Sequence, residues 1–125
     1  MPIHHDMLGA LPTDADRTFT PLATPALGTA ACSVHENVLA VGAVVPLHRH
    51  AIEEVIVCLS GEGACTFEGH APQSYRAGSV LVIPAGVAHT LRNTGTERLR
   101  QIAVLAGREP GTEWIEPEGS VSKRR

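Results

Sequence analysis

Residues 42–61 read GAVVPLHRHAIEEVIVCLSG. His48 and His50 stand one residue apart, and Glu54 follows inside an otherwise apolar run. In an extended chain, alternate side chains share a face. His48, His50 and Glu54 have the same parity, so a nearly regular strand points all three one way and Glu53 the other. Two imidazoles and a carboxylate on one face suit a divalent transition metal. Buried without an ion, such a cluster carries a large desolvation cost.

A second stretch, residues 78–93, reads GSVLVIPAGVAHTLRN. An apolar strand runs into the turn Pro84-Ala85-Gly86, where Pro84 fixes the chain direction and Gly86 gives the backbone its freedom. The next strand brings His89, with Leu91 and Asn93 on the same face, so His89 is able to look into the same interior.

Outward from these stretches the pattern stays β. Short β-branched runs at 29–34, 37–45, 54–59, 63–68, 72–76, 79–83, 88–93 and 98–105 predict strands. Turn signals such as Ser60-Gly61-Glu62-Gly63, Glu68-Gly69 and Asn93-Thr94-Gly95 separate them. No stretch between residues 29 and 106 has a helical stripe, and many short strands at even spacing predict a sandwich or barrel. Residues 1–28, with Pro2, Pro12, Pro21 and Pro25, read as an extended arm holding at most one short strand. Residues 107–125 read as an irregular tail whose Trp114 packs back on the body or on a second subunit.

Here the chain resembles the cupin superfamily. The first motif of that family is Gly, five residues, His-x-His, three or four residues, Glu, six residues and Gly. This chain follows it from Gly42 through His48, His50 and Glu54 to Gly61. The second is Gly, five residues, Pro-x-Gly, two residues, His, three residues and Asn, followed from Gly78 through Pro84, Gly86 and His89 to Asn93. The short segment between the motifs is similar to that of small single-domain bacterial cupins. The resemblance implies an all-β fold, a single antiparallel jelly-roll β-barrel over residues 29–106 with irregular terminal arms. It also implies one divalent transition metal ion (iron, manganese, nickel, copper or zinc) held by His48, His50, Glu54 and His89, and a homodimer. The arm over residues 1–27 is expected to pack against the second subunit.

Composition narrows the partners. The chain has 125 residues, enough for one domain with a modest core, and is 43% hydrophobic but only 3% aromatic, so aliphatic side chains must fill that core. Net charge is −3, and the only basic cluster is Lys123-Arg124-Arg125, read as a solvated end. That argues against nucleic acid as a partner. No run is long enough for a signal peptide or a membrane span, and three cysteines without a CxxC fit reduced thiols in a cytoplasm.

Other residues take structural roles in this reading. Glu53 faces solvent, and Arg49 points outward to a surface carboxylate. Cys58 is an apolar filler inside the barrel, Tyr75 packs, and Arg76 lies on the surface. Gln101 faces the cavity by parity. His35 and His70 are surface or loop residues, and His4 and His5 have no role. Ile56, Val82 and Leu91 form an apolar wall that excludes water and keeps the substrate small. The expected function is a metal-dependent enzyme on a small oxygenated metabolite, a dioxygenase-type oxidoreductase first. An isomerase, lyase or decarboxylase, or a non-catalytic small-ligand-binding module, is the alternative. Dimethylsulfoniopropionate lyases of the superfamily carry a tyrosine just after the motif glutamate, where this chain has Val55, which speaks against that activity. No general acid or base stands out beyond the four ligands.

Overall fold

The computed structural model describes residues 1–9 and 15–115, together with the backbone of 121–124. The strands, in chain order, are β1 (Arg17–Ala23), β2 (Ser33–Leu39), β3 (Val44–His50), β4 (Glu54–Ser60), β5 (Glu62–Phe67) and β6 (Gln73–Arg76). They continue with β7 (Val80–Ile83), β8 (His89–Asn93), β9 (Leu99–Leu105), β10 (Thr112–Ile115) and β11 (Val121–Arg124). One five-stranded sheet runs β1-β2-β9-β4-β7, and a six-stranded sheet runs β11-β10-β3-β8-β5-β6. Every pairing is antiparallel. The all-β jelly-roll barrel expected from the sequence is therefore the fold.

Alternation decides what fills it. On β4, Glu54, Ile56 and Cys58 are buried, whereas Val55, Val57 and Leu59 look outward. On β9, Leu99, Gln101, Ala103 and Leu105 are buried between partly exposed neighbours. The core joins Leu39, Val45, Ile56, Ile83, Leu91 and Leu99 with the thiols Cys58 and Cys65 and the ring of Tyr75. Burying aliphatic side chains of this size stabilises by roughly 1.5–3 kcal/mol each.

Three expectations need correction. The run at 37–45 is not one strand: β2 ends at Leu39, a turn follows, and β3 starts at Val44, with Gly42 at φ +78°. Such a φ strains any side chain bearing a Cβ. The break expected between residues 34 and 37 is absent as well. The polar pair His35-Glu36 looks like a turn signal, yet both residues sit mid-strand in β2 and are buried. Glu36 is held by Arg100 at 2.6 Å and accepts from the Gly9 amide at 2.9 Å. Finally, the C-terminal tail is more ordered than expected, whereas the N-terminal arm holds the one strand allowed for it. β1 pairs with β2 along its length, and β10 pairs with β3. β1 covers the edge of β2 in one sheet and β10 covers the edge of β3 in the other, where backbone groups would otherwise be unpaired. The side chains of Lys123 and Arg124, and Arg125 altogether, lie outside the described residues.

Candidate metal centre

β3 delivers two histidines through a backbone irregularity. Val45 opposes Leu91 on β8, but His48 opposes His89, so β3 carries one extra residue between them. This bulge falls at Pro46-Leu47, where Pro46 has no amide to give the ladder. It shifts the alternation by one. Val45, His48 and His50 are all buried, although a regular strand would put Val45 opposite in sense to the other two. After His50 the chain crosses to the other sheet, and Glu54 opens β4 there. The three groups therefore do not share one strand face as the parity reading had it. They meet from facing sheets.

His89 comes from the turn at Pro84-Ala85-Gly86. Gly86 has φ +78°, and its amide donates to the His50 carbonyl at 2.8 Å, tying the two histidine segments together. His48, His50, Glu54 and His89 are all buried, and their ligand atoms lie within 4.8 Å of one another.

The outer hydrogen bonds set which nitrogen of each ring is free. His48 Nδ1 donates to the Pro46 carbonyl at 2.7 Å, and His89 Nδ1 donates to the Val87 carbonyl at 3.0 Å. A carbonyl only accepts, so Nδ1 holds a proton, and in the neutral ring the lone pair then sits on Nε2. His50 Nδ1 is engaged by the Thr112 hydroxyl at 3.0 Å. All three rings thus turn Nε2 inward, the arrangement that outer partners impose on metal-ligating histidines.

The inward atoms lack partners. Glu54 Oε1 lies 3.4 Å from His50 Nε2 and 3.5 Å from His89 Nε2, and Glu54 Oε1 and His89 Nε2 have no hydrogen bond. Fully buried polar atoms are normally paired. This donor set, three imidazoles and a carboxylate, matches a divalent transition metal. Burial pushes the Glu54 carboxyl up, but the adjacent His50 and His89 more than reverse this and hold it at about 2. Burial and the neighbouring His89 bring His48 down to about 4. Both groups therefore have the protonation state of a ligand at neutral pH.

A cavity of about 320 Å³ opens over the cluster. Val45, Ile56, Leu91 and Ala103 supply its apolar wall. Ile56 and Leu91 stand where the sequence reading put them. Val82 does not: it is 60% exposed on the outer face of β7. Cys58 is buried in the core and Tyr75 packs there, as expected. Gln101 faces inward but is fully buried, accepting from the Tyr75 hydroxyl at 2.9 Å and donating to Asn37. It is part of the packed interior and does not line the cavity over the cluster. Glu53 is exposed, and Arg49 reaches Glu113 at 3.0 Å. His70 lies in an exposed turn. His4, without an assigned role, approaches the Leu27 carbonyl at 2.7 Å. His35 is the misplaced histidine: it is buried, its ring stacks on Phe19 at 4.1 Å, and burial lowers its pKa.

The mouth is built by residues the motifs do not contain. Arg17, Thr18 and Phe19 of β1, Asn37 of β2, and Thr112 and Trp114 of β10 line it. Trp114 packs back on the body as expected, and its ring lies 4.9 Å from that of His48. Position in an irregular-looking terminus gave no signal for Arg17 or Thr112.

Comparison with known proteins fits this geometry. A family model for the cupin domain matches residues 36–105. Auxin-binding protein 1 of Arabidopsis thaliana is 38% identical over 77 residues, covering 55% of this chain and only 38% of that protein. A conserved protein with a double-stranded β-helix domain from Klebsiella pneumoniae superposes with a TM-score of 0.74 at 19% identity, covering 85% of this chain and 90% of the other. An oxalate oxidase in complex with the substrate analogue glycolate gives 0.78 at 22% identity, covering 92% of this chain and 63% of the other.

Proposed function

The chain belongs to the cupin family, and from that we propose that it is a metal-dependent cupin enzyme in which His48, His50, Glu54 and His89 hold one divalent transition metal ion. The observation that carries the reading is the pair of orphaned buried atoms, Glu54 Oε1 and His89 Nε2, facing each other across the cluster. When bound there, such an ion supplies Lewis-acid or redox chemistry.

The chain's own residues do the rest. The carbonyls of Pro46 and Val87 and the hydroxyl of Thr112 orient the three rings. Val45, Ile56 and Leu91 keep water from the reacting end of the cavity and limit the substrate to a small molecule. A dioxygenase-type oxidoreductase acting on a small oxygenated metabolite is our first choice. The likeness in fold to oxalate oxidase supports an oxidoreductase. An isomerase, lyase or decarboxylase would use the same residues. A non-catalytic ligand-binding role is supported by the similarity to auxin-binding protein 1.

Elemental analysis of protein purified without chelator, beside His89→Ala, tests the centre. We expect near-stoichiometric iron, manganese, nickel, copper or zinc in the parent and its loss in the variant. Failure of each of these ions to bind on reconstitution would remove the reading. Oxygen uptake with candidate metabolites then separates enzyme from binding module.

A cytoplasmic homodimer is part of the same proposal. Three free cysteines support a reducing compartment, and among the described residues no helix is long and apolar enough to cross a membrane. The outer face of the five-stranded sheet offers Leu59, Val80 and Val82, exposed by 45%, 59% and 60%, as apolar surface for a second copy to cover. β1, the strand of the N-terminal arm, pairs with β2 of its own chain. Light scattering at micromolar concentration should give the dimer mass, and a monomer would sink this part.

A further inference from the structure

We infer that Arg17 makes the mouth of this cavity a carboxylate site, so that the ligand is a small aliphatic acid carrying a second oxygen function at its other end. The inference rests on the metal-binding reading above and adds the class of molecule.

Arg17 is the one cationic side chain among the described residues that line the cavity. It is an exposed side chain with two contacts that place it at the mouth. Nη1 donates to the Val44 carbonyl at 2.9 Å, and the guanidinium lies 5.5 Å from the centre of the Trp114 ring. The same Trp114 ring lies 4.9 Å from that of His48. Guanidinium, indole and imidazole therefore form successive layers of one wall, leading from the mouth to the ligand cluster. No carboxylate lies within ion-pair distance of Arg17 in the described residues, in contrast to Arg49 and Arg100, which have Glu113 and Glu36.

A guanidinium has five N–H donors in a planar fork. The bond to Val44 uses one nitrogen and the indole covers one face, which leaves an edge with donors for a carboxylate. Charge points the same way. A divalent ion outweighs the single Glu54 carboxylate, and Arg17 adds a second positive charge to the cavity. The space between is apolar, bounded by Val45, Ile56 and Leu91. An aliphatic body with an anionic end at Arg17 and an oxygen directed to the cluster satisfies all three regions. A volume of about 320 Å³ is at the low end for ligand cavities, which keeps that body short.

The test uses the full chain loaded with Mn²⁺, with metal content measured first. The probes are 4-hydroxybutyrate and its neutral amide, and the readout is relaxation of probe protons by the bound ion. The acid should bind about 10-fold more tightly than the amide, the gain expected of a charge-assisted pair. Arg17→Gln should retain full Mn²⁺ content, lose about 10-fold in affinity for the acid and leave the amide unchanged. Arg17→Lys should fall between.

Equal losses for acid and amide in Arg17→Gln would overturn the inference, since Arg17 would then only clamp β1 to β3. Unchanged acid binding in that variant, or no binding of either probe by the parent, would also overturn it. A parent that takes up no Mn²⁺ overturns the metal reading instead. Saturation-transfer measurements on the metal-free protein with the same two probes then decide whether the Arg17-dependent preference for the acid stands.

Discussion

Two regions of the barrel interior bury polar side chains in opposite ways. Around Tyr75 every such group is paired. The Tyr75 hydroxyl donates to Gln101, Gln101 donates to Asn37, and Asn37 donates to the Thr18 carbonyl at 3.0 Å. Asn93 nearby donates to the carbonyls of Leu39 at 3.0 Å and Glu97 at 2.8 Å, and accepts from the Gly95 amide at 2.9 Å. At the His48–His89 cluster the outward nitrogens are paired but the inward atoms are not. Both regions share strands, burial and motif residues. The paired region closes turns and fixes register. The unpaired region keeps donors free at one point in space. Among the described residues Thr29, Ser33, His35 and Trp114 also bury an unpaired atom, so what marks the site is unmet pairing together with four ligand-type groups converging on one point.

The largest expected effect is at the cluster. Glu54→Gln should lower metal affinity by more than the roughly 10- to 100-fold that outer partners of a ligand are worth. Calorimetric titration with Mn²⁺ measures it. Equal affinity in variant and parent would break the comparison from the metal side.

Asn93→Ala should behave in the reverse manner. It leaves the Leu39 carbonyl buried without its donor and costs roughly 3 kcal/mol in a urea melt. Metal affinity per folded molecule should be unchanged, since Asn93 bonds to turn backbone and not to the cluster.

Acid separates the regions next. In the unfolded chain His48 takes a proton near its ordinary value of 6.5, whereas in the fold burial and His89 delay this to about 4. The unfolded state therefore binds more protons between those values, and the metal-free protein loses stability as pH falls from 6.5 toward 4. From this one group the slope approaches about 1.4 kcal/mol per pH unit. Glu54, ordinarily 4.5 and held at about 2, contributes a further loss below that window. Tyr75 adds nothing there, because burial raises its hydroxyl and leaves it protonated throughout. Urea melts of metal-free protein from pH 8 to 4 should be flat above pH 7 and fall below 6.5.

A smaller effect is expected at Thr112, the outer partner of His50. Thr112→Val should weaken metal binding about 10-fold while changing the melt by no more than about 1 kcal/mol. The smallest concerns the thiols. Burial pushes Cys65 up to about 11 and raises Cys58 as well, so both should resist a thiol reagent at pH 8 in the native protein. The partly exposed Cys32 should react first, which peptide mapping by mass spectrometry reads directly.

Much of the cluster was legible in the sequence because ligand spacing is local. His-x-His on a strand must put two imidazoles on one side, and the Pro-x-Gly turn two residues before the His89 segment sets its direction. The outward sense of Arg49 followed from the same alternation. The chain by itself also determined the all-β class, through short β-branched runs separated by glycine and proline. Tertiary structure decided the remainder. Whether Val45 shares a face with His48 depends on a bulge opposite β8, and a bulge is a property of a strand pair. His35 looked like a loop residue until β1 covered it with Phe19. Arg17, Asn37, Thr112 and Trp114 reach one cavity only because β1 and β10 join opposite sheets beside it. Alternation along a strand is set by the chain's own covalent geometry, whereas the neighbour a strand acquires is set by long-range pairing that no local pattern encodes.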